Sequence, residues 1–127
     1  MLDAVRDYLS DPRCAVLSTV GPDGAPHQAV LHYLLEADAL VLNGRTDRRW
    51  ARNLRDGGRV SIVVHDADDY LHWVGIKGRA ERLREGDAAV EDAMTLARRY
   101  GEDPDDFRGQ ERVSFRVVPE RVFESRS

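Results

Sequence analysis

Three arginines, Arg45, Arg48 and Arg49, stand where the sequence predicts that a strand turns into a helix. Residues 40–42 are an apolar run typical of a strand, and residues 43–45 form a polar turn. Thr46 is the predicted N-cap, because its hydroxyl can accept a hydrogen bond from a first-turn amide. Positive side chains oppose the helix dipole at this end, but they are favourable where an anion binds. The spacing therefore predicts a phosphate site.

A solvated helix face is the alternative interpretation of the same residues. Arg48, Arg52 and Arg55 follow helical spacing and would lie opposite Trp50 and Leu54. The local charge helps to decide between an anion site and a solvated helix face. Residues 45–59 contain six arginines and two aspartates, a local charge of +4 in a chain whose net charge is −4. This asymmetry favours a small anionic ligand over a generally basic surface.

Length and composition place limits on the fold and its setting. The 127 residues are expected to form a single domain, so a large ligand would lie in a groove or between subunits. No run approaches the ~18 apolar residues of a membrane span. Cys14 is the one cysteine, which excludes an internal disulfide, makes a reducing cytoplasm the expected location and favours a buried, inert thiol.

The strands that would position the site are predicted from apolar and β-branched runs. Residues 14–20 and 26–36 form a hairpin around the turn Gly-Pro-Asp-Gly, and residues 39–43 form the third strand. Residues 59–65 predict a buried strand, and residues 70–83 predict a long strand with Gly75 and Gly78 as bend or bulge points. The last strand lies in VSFRVVPERVFES, interrupted by Pro119.

Two further helices accompany the one at Thr46. Leu2, Val5 and Leu9 fit one face of an opening helix, and a later helix is expected to be capped by Asp87 and stopped by Gly101. The first three strands have no helices between them, which disfavours a parallel doubly wound sheet. The expected fold is α+β and mainly β: a six-stranded antiparallel barrel with about three peripheral helices.

Protein-based catalytic groups are not predicted. The serines in strand patterns have no paired base by spacing, which disfavours a hydrolytic triad. His27 and His32 lie on opposite faces of one strand, and His65 and His72 have no clear third ligand, so no metal site is expected. A chain with no catalytic side chains is what an enzyme driven by a bound redox cofactor would require.

Several stretches together resemble the flavin-binding split barrels related to pyridoxamine 5′-phosphate oxidase, and in particular the probable coenzyme F420 (deazaflavin)-dependent oxidoreductases. They are AVLSTVGPDGAPHQAVLHY, LVLNGRTDRRWARNLRDGGRVSIVV, YLHWVGIKGRAERL and RVSFRVVPERV, which cover nearly the whole chain. The segment RRWARNL followed by RVSIVV is the most specific. The resemblance implies a six-stranded split β-barrel and a homodimer with its cofactor sites at the subunit interface.

The resemblance also implies which residues bind the cofactor. The phosphate would be held at the turn and helix start. Asn53 matches an asparagine of the family, with structural capping as the alternative role. Lys77 occupies a usual basic position, and the second strand would form a wall for the ring, with Gly75 letting a planar ring approach. The expected cofactor-binding residues are Val30, His32, Asn43, Arg45, Thr46, Arg48, Arg49, Asn53 and Lys77.

The function expected from this resemblance is hydride transfer between reduced coenzyme F420 and a small unsaturated organic substrate. The tail of this cofactor carries a phosphate and several carboxylates, which suits a spread of arginines such as Arg48, Arg52 and Arg55. The alternatives are an FMN-dependent oxidoreductase and a non-catalytic protein that binds or stores the cofactor. Nucleic-acid binding is disfavoured by the net acidity and by the lack of a recognisable binding motif.

Overall fold

A single curved sheet of antiparallel strands dominates the computed structural model, which describes residues 1–126. Short 3₁₀ turns at Asp3–Val5 and Pro104–Phe107 accompany the regular elements. In chain order these are α1 Arg6–Ser10, β1 Cys14–Val20, β2 Pro26–Leu31, β3 Leu34–Glu36, β4 Ala39–Arg45, α2 Arg49–Asn53, β5 Gly58–His65, β6 Trp73–Glu85, α3 Gly86–Tyr100 and β7 Arg112–Ser125.

The sheet has the order β2-β1-β5-β6-β7-β4-β3, and every neighbouring pair is antiparallel. The prediction of mainly antiparallel β structure with three helices is therefore confirmed. The prediction of a six-stranded barrel is wrong in its strand number and in its closure: the described residues form seven strands, and hydrogen bonds do not close the sheet.

The seventh strand arises because the predicted strand 26–36 is broken at His32 and Tyr33. Tyr33 is fully buried, and its hydroxyl lies 2.9 Å from the carbonyl oxygen of Leu9 and 3.0 Å from that of Asp11. The two halves of the broken strand occupy opposite edges of the sheet. Two intervening residues span only about 10 Å, so the sheet must curl until its edges nearly meet.

Alternation along the strands creates the core, because successive side chains of a strand point to opposite faces. The inner face of the curved sheet carries large apolar side chains that are almost completely buried, together with Trp50 and Leu54 of the α2 region. They include Leu17, Leu42, Ile62, Val64, Val74, Ile76, Val113, Phe115 and Val117.

Several local predictions can be compared directly with the structure. Gly78 lies at a register shift between β6 and β7, as expected for a bulge. Gly101 ends α3 with φ of 76°, the left-handed conformation that favours glycine. Asp87 is not the N-cap of α3; Glu85 occupies that position without a side-chain cap bond, and Asp87 lies in the first turn.

Replacing Tyr33 tests how far the strand break depends on its hydroxyl. We expect Tyr33→Phe to lower the free energy of unfolding by about 1 kcal/mol, because Arg99 still donates to the carbonyls of Leu9 and Asp11 after the hydroxyl is lost. Urea denaturation measures the change. Tyr70→Phe is the matched control, since Tyr70 is 78% exposed and should change stability by less than about 0.5 kcal/mol. Equal effects of the two variants would contradict the assignment.

Candidate functional site

The main cavity lies at the seam between the two edges of the sheet. Within residues 1–126, strand β3 pairs only with Ala39–Val41, so the second half of β4 has no strand on that side. A cavity of about 770 Å³ opens there, between β2, the end of β4 and α3. It is lined by His27, Ala29, Val30, Leu31, His32, Asn43, Gly44, Arg45, Arg48, Arg49, Trp50, Ala93, Leu96, Glu102, Phe107, Gln110 and Arg112. Six of the nine predicted cofactor-binding residues are among them.

Uncompensated positive charge is the main electrostatic feature of this cavity. Arg45 forms an exposed ion pair with Asp47 at 2.9 Å, which lowers the pKa of that carboxyl. Within residues 1–126, Arg48 and Arg49 form no ion pair and no side-chain hydrogen bond, although the charge of Arg48 also helps to lower the pKa of Asp47. Glu102 is the acidic side chain among the described lining residues. The cavity can therefore attract and hold an anion.

Helix α2, which follows β4, begins later than the sequence predicted. Strand β4 runs to Arg45, and α2 begins only at Arg49, with Arg48 as its N-cap residue and no side-chain cap. Thr46 is thus not the N-cap: its amide donates to the carbonyl of Glu111 at 3.0 Å, and its hydroxyl lies 3.3 Å from the Glu111 carboxylate. Thr46 does not line the cavity. Anion binding here rests on guanidinium groups rather than on a helix capped by Thr46.

A close contact between Gly44 and Trp50 fixes α2 against the sheet. A Cβ atom on Gly44 would lie 2.4 Å from Cζ2 of Trp50, so only glycine allows the indole to rest on β4. The indole is 4% exposed and meets Phe115 edge-on. Because Trp50 follows directly on Arg48 and Arg49, this contact also places both arginines at the cavity.

Asn43 is buried and uses its whole amide within the protein. Its Nδ2 donates to the carbonyl of Ala89 (2.7 Å) and to Oγ of Ser114 (2.8 Å), and its Oδ1 accepts from Nε of Arg112 (2.8 Å). Ser114 in turn donates to the Asp92 carboxylate at 2.6 Å. Asn43 therefore connects α3 to the cavity and orients Arg112.

Arg112 is the lining cation that sequence reasoning missed. It begins β7 directly opposite Arg45 of β4, and its guanidinium lies 4.8 Å from the centre of the Phe107 ring. Burial lowers its pKa, and the charges of Arg45 and Arg48 lower it further. No local pattern identifies Arg112, because only the pairing of two strands distant in sequence brings it to the cavity.

The β2 wall, formed by β2 and by His32 directly after it, contains two of the predicted residues. Val30 is 70% exposed at the cavity mouth. The His32 ring stacks on Tyr100 with a centroid separation of 3.7 Å and an interplanar angle of 2°, and its Nδ1 lies 3.6 Å from the Glu102 carboxylate. Burial raises the pKa of Tyr100, so its hydroxyl stays neutral and donates to the carbonyl of Arg13. His32 is thus held in place by a ring and a carboxylate.

Two other predicted residues lie outside the main cavity. Asn53 donates to the Thr19 hydroxyl at 3.0 Å and lines a smaller adjoining cavity of about 370 Å³, which also borders Arg49. Lys77 is exposed on β6 and does not line the cavity.

Other expectations about ring and tail contacts need correction. Arg52 and Arg55 are exposed and do not line the cavity. Gly75 does face an aromatic ring, but the ring is that of Phe123: a Cβ on Gly75 would lie 2.4 Å from its Cζ atom. Phe123 also meets Trp73 edge-on.

The model of one protein family, described as pyridoxamine 5′-phosphate oxidase, matches residues 1–126. Among solved structures, an F420 reductase is 25% identical, with a TM-score of 0.78 and coverage of 93% of this chain and 94% of that one. A conserved hypothetical protein from Mycobacterium tuberculosis is 28% identical, with a TM-score of 0.80 and coverage of 98% and 84%.

HutZ, the heme storage protein from Vibrio cholerae, is 20% identical to this chain. It has a TM-score of 0.77 and coverage of 96% and 92%, which shows a shared fold alone. No curated protein matches the sequence. None of the helices within residues 1–126 has the length and apolar composition needed to cross a membrane.

Truncating Asn43 tests its role as a buried connector. We expect Asn43→Ala to lower the free energy of unfolding by about 1–3 kcal/mol, because it leaves buried groups of Ala89 and Ser114 with fewer partners. Chemical denaturation measures the effect. Gln28→Ala is the control, since Gln28 is exposed and its amide donates to Ser18 on the outer face. A loss at Asn43 no larger than that at Gln28 would refute a connecting role.

Proposed function

Because this chain belongs to the pyridoxamine 5′-phosphate oxidase family, we propose that it is an oxidoreductase that uses coenzyme F420 to exchange a hydride with a small unsaturated organic substrate. The observation that carries the proposal is the arginine-lined cavity at the sheet seam. The similarity to an F420 reductase over nearly the full length of both chains supports the choice of cofactor.

The residues of the cavity fit such a cofactor in size and charge. Its volume of about 770 Å³ falls within the usual range for small-molecule and cofactor sites. Arg48 and Arg49 would hold the phosphate, since both line the cavity and neither forms an ion pair among residues 1–126. Val30, at the cavity mouth, offers exposed apolar surface on which a planar ring can rest.

The hydride chemistry would be supplied by the deazaflavin when it is bound. The described lining residues include no serine, threonine, cysteine or lysine, so this cavity offers no side-chain nucleophile of those types. The protein's own contribution is to bind the anion, orient the ring and exclude water. His32 is positioned by Tyr100 and Glu102 on the β2 wall, where a substrate next to the ring would meet it.

FMN on the same fold is the second candidate cofactor, since it also presents a phosphate to the arginines. The contribution that Arg52 and Arg55 were expected to make to deazaflavin binding is not supported, because both lie outside the cavity. The proposed preference for coenzyme F420 over FMN therefore depends on the similarity to an F420 reductase. Titration with both cofactors tests it.

A homodimer is part of this proposal, and an apolar row on the outer face of the sheet supports it. The strand register aligns Val30, Val16, Val63, Gly75 and Phe123 across β2, β1, β5, β6 and β7. Val30 and Phe123, at the two ends of the row, are 70% and 44% exposed. A second copy packed on this row would remove this apolar surface from water.

The same packing would complete the cofactor site. Val30 belongs both to the apolar row and to the cavity mouth, so a partner on the row would border the cavity. Lys77 lies in the adjacent polar row of the same face. In the proposed dimer, it would lie near the cofactor that is bound by the second copy. That row consists of Gln28, Ser18, Ser61, Lys77 and Arg121.

Titration of an Arg49 variant tests the proposed cofactor site. A Trp73→Phe background leaves Trp50, which lines the cavity, as the one remaining tryptophan. We expect Arg49→Ala to weaken coenzyme F420 binding about tenfold or more, which corresponds to about 1.4 kcal/mol. Fluorescence titrations with coenzyme F420 and with FMN measure affinity and cofactor preference.

Arg55→Ala is the matched control for this titration, because Arg55 is exposed and lies outside the cavity. It should bind coenzyme F420 as the wild type does. If Arg49→Ala and the wild type bound coenzyme F420 with equal affinity, Arg49 would not be a cofactor-binding residue. Tighter binding of FMN would favour the second candidate cofactor, and binding of neither would refute the function.

A charge placed in the apolar row tests the dimer. We expect wild-type protein to elute as a dimer and Val30→Glu to shift it to monomer, because the carboxylate would lose water on association. Size-exclusion chromatography with light scattering measures the mass. Val118→Glu is the control: Val118 is 38% exposed but aligns with Arg79 and Arg59, away from the apolar row. A monomeric wild type, or an unchanged dimer in Val30→Glu, would count against this interface.

A further inference from the structure

Arg112 presents part of its guanidinium to the cavity without a protein acceptor. Nε donates to Oδ1 of Asn43 at 2.8 Å, and Nη1 donates to Oε1 of Gln110 at 2.5 Å. Among residues 1–126, no acceptor lies within hydrogen-bonding distance of Nη2. The Phe107 ring lies 4.8 Å from the guanidinium carbon. The side chain is thus held in one orientation with donors left over for a ligand.

Arg112 also has no carboxylate counter-charge among the residues that the structure describes. Both of its acceptors are neutral amides, and its direct partner across the β4–β7 pairing is another arginine, Arg45. Like charges directly opposite one another in a sheet are unfavourable. Glu102, the acidic residue among the described lining, contacts His32 and not Arg112. A partly buried charge without a compensating partner costs free energy, and a bound anion would offset that cost.

The position of Arg112 differs from that of Arg49. Arg49 also borders the smaller cavity beside the β1–β2 turn, together with Gly21 and Asp23. Arg112 lies at the other end, beside Phe107 and Gln110 of the segment between α3 and β7. The cationic lining therefore extends over two ends of one cavity.

We propose that Arg112 forms a second anion-binding position at the α3–β7 end of the cavity, and that the ligand carries two negatively charged groups, each a phosphate or a carboxylate. One group binds at Arg49 and the other at Arg112. This inference rests on the proposed function for the identity of the ligand, since coenzyme F420 carries a phosphate and carboxylates whereas FMN carries one phosphate. The two cationic positions themselves are features of the protein and do not depend on that identity.

The first experiment measures coenzyme F420 binding to Arg49→Met, Arg112→Met and the double variant by calorimetry. We expect each single substitution to weaken binding at least tenfold and the double variant to lose the product of the two factors, because separate contacts are additive. Arg108→Met is the control, since Arg108 is exposed, pairs with Asp105 and lies outside this cavity. An Arg112→Met affinity equal to that of Arg108→Met would overturn the proposal, as would a double variant no weaker than either single variant.

A second experiment uses inorganic phosphate as the probe, so that failure of the cofactor assignment is distinguished from failure of this inference. Thermal unfolding is followed in phosphate and in chloride at equal ionic strength. We expect phosphate to raise the wild-type unfolding temperature, each single variant to keep part of the shift and the double variant to lose it. If coenzyme F420 does not bind but this pattern holds, the second position stands and the cofactor is wrong. A full phosphate shift in Arg112→Met would overturn the second position whatever the cofactor.

Discussion

The burial of Tyr33 is the constraint on which the rest of this structure depends. A strand that continued through His32 and Tyr33 would stay at one edge of the sheet, whereas the buried ring turns the chain inward and sends β3 to the other edge. The connection is so short that the sheet has to curl. The seam left between the edges is where the cavity opens, so one buried side chain determines both the curvature of the sheet and the place available for a ligand.

Stability and binding make opposite demands on the residues around this seam. Trp50 on Gly44 and the fully used amide of Asn43 are packed and hydrogen-bonded as a stable core requires. Among the arginines beside them, Arg45 pairs with Asp47, whereas Arg48, Arg49 and Arg112 form no ion pair within residues 1–126, and Arg112 stands opposite Arg45 in the sheet. Departures from local stability of this kind are expected at functional sites. The core residues beside the cavity are thus fully packed and hydrogen-bonded, whereas the arginines that line it have few acidic partners. This difference supports a role for the cavity in binding an anion.

Local sequence patterns predicted most of the fold. The features that were missed depend on contacts between residues that are distant in the sequence. The β1–β2 hairpin, the Gly78 bulge and the Gly101 helix end follow from turn chemistry that a few neighbouring residues determine. The break at Tyr33 could not be predicted, because residues 27–36 contain no glycine or proline that would signal it, and only the contact of Tyr33 with α1 reveals it. The cluster at residues 45–49 was visible as a charge asymmetry, whereas Arg112 enters the cavity only through strand pairing.

The pairing of β4 with β7 has a consequence for the order in which the molecule folds. It joins Leu40 with Val117 and Arg45 with Arg112, so a long stretch of chain must be ordered before these contacts form. Pairings between distant segments have a high entropic cost of loop closure and form slowly compared with hairpins such as β1–β2. Since both strands line the cavity, the ligand pocket would be completed in the last steps of folding, after the hairpins already exist.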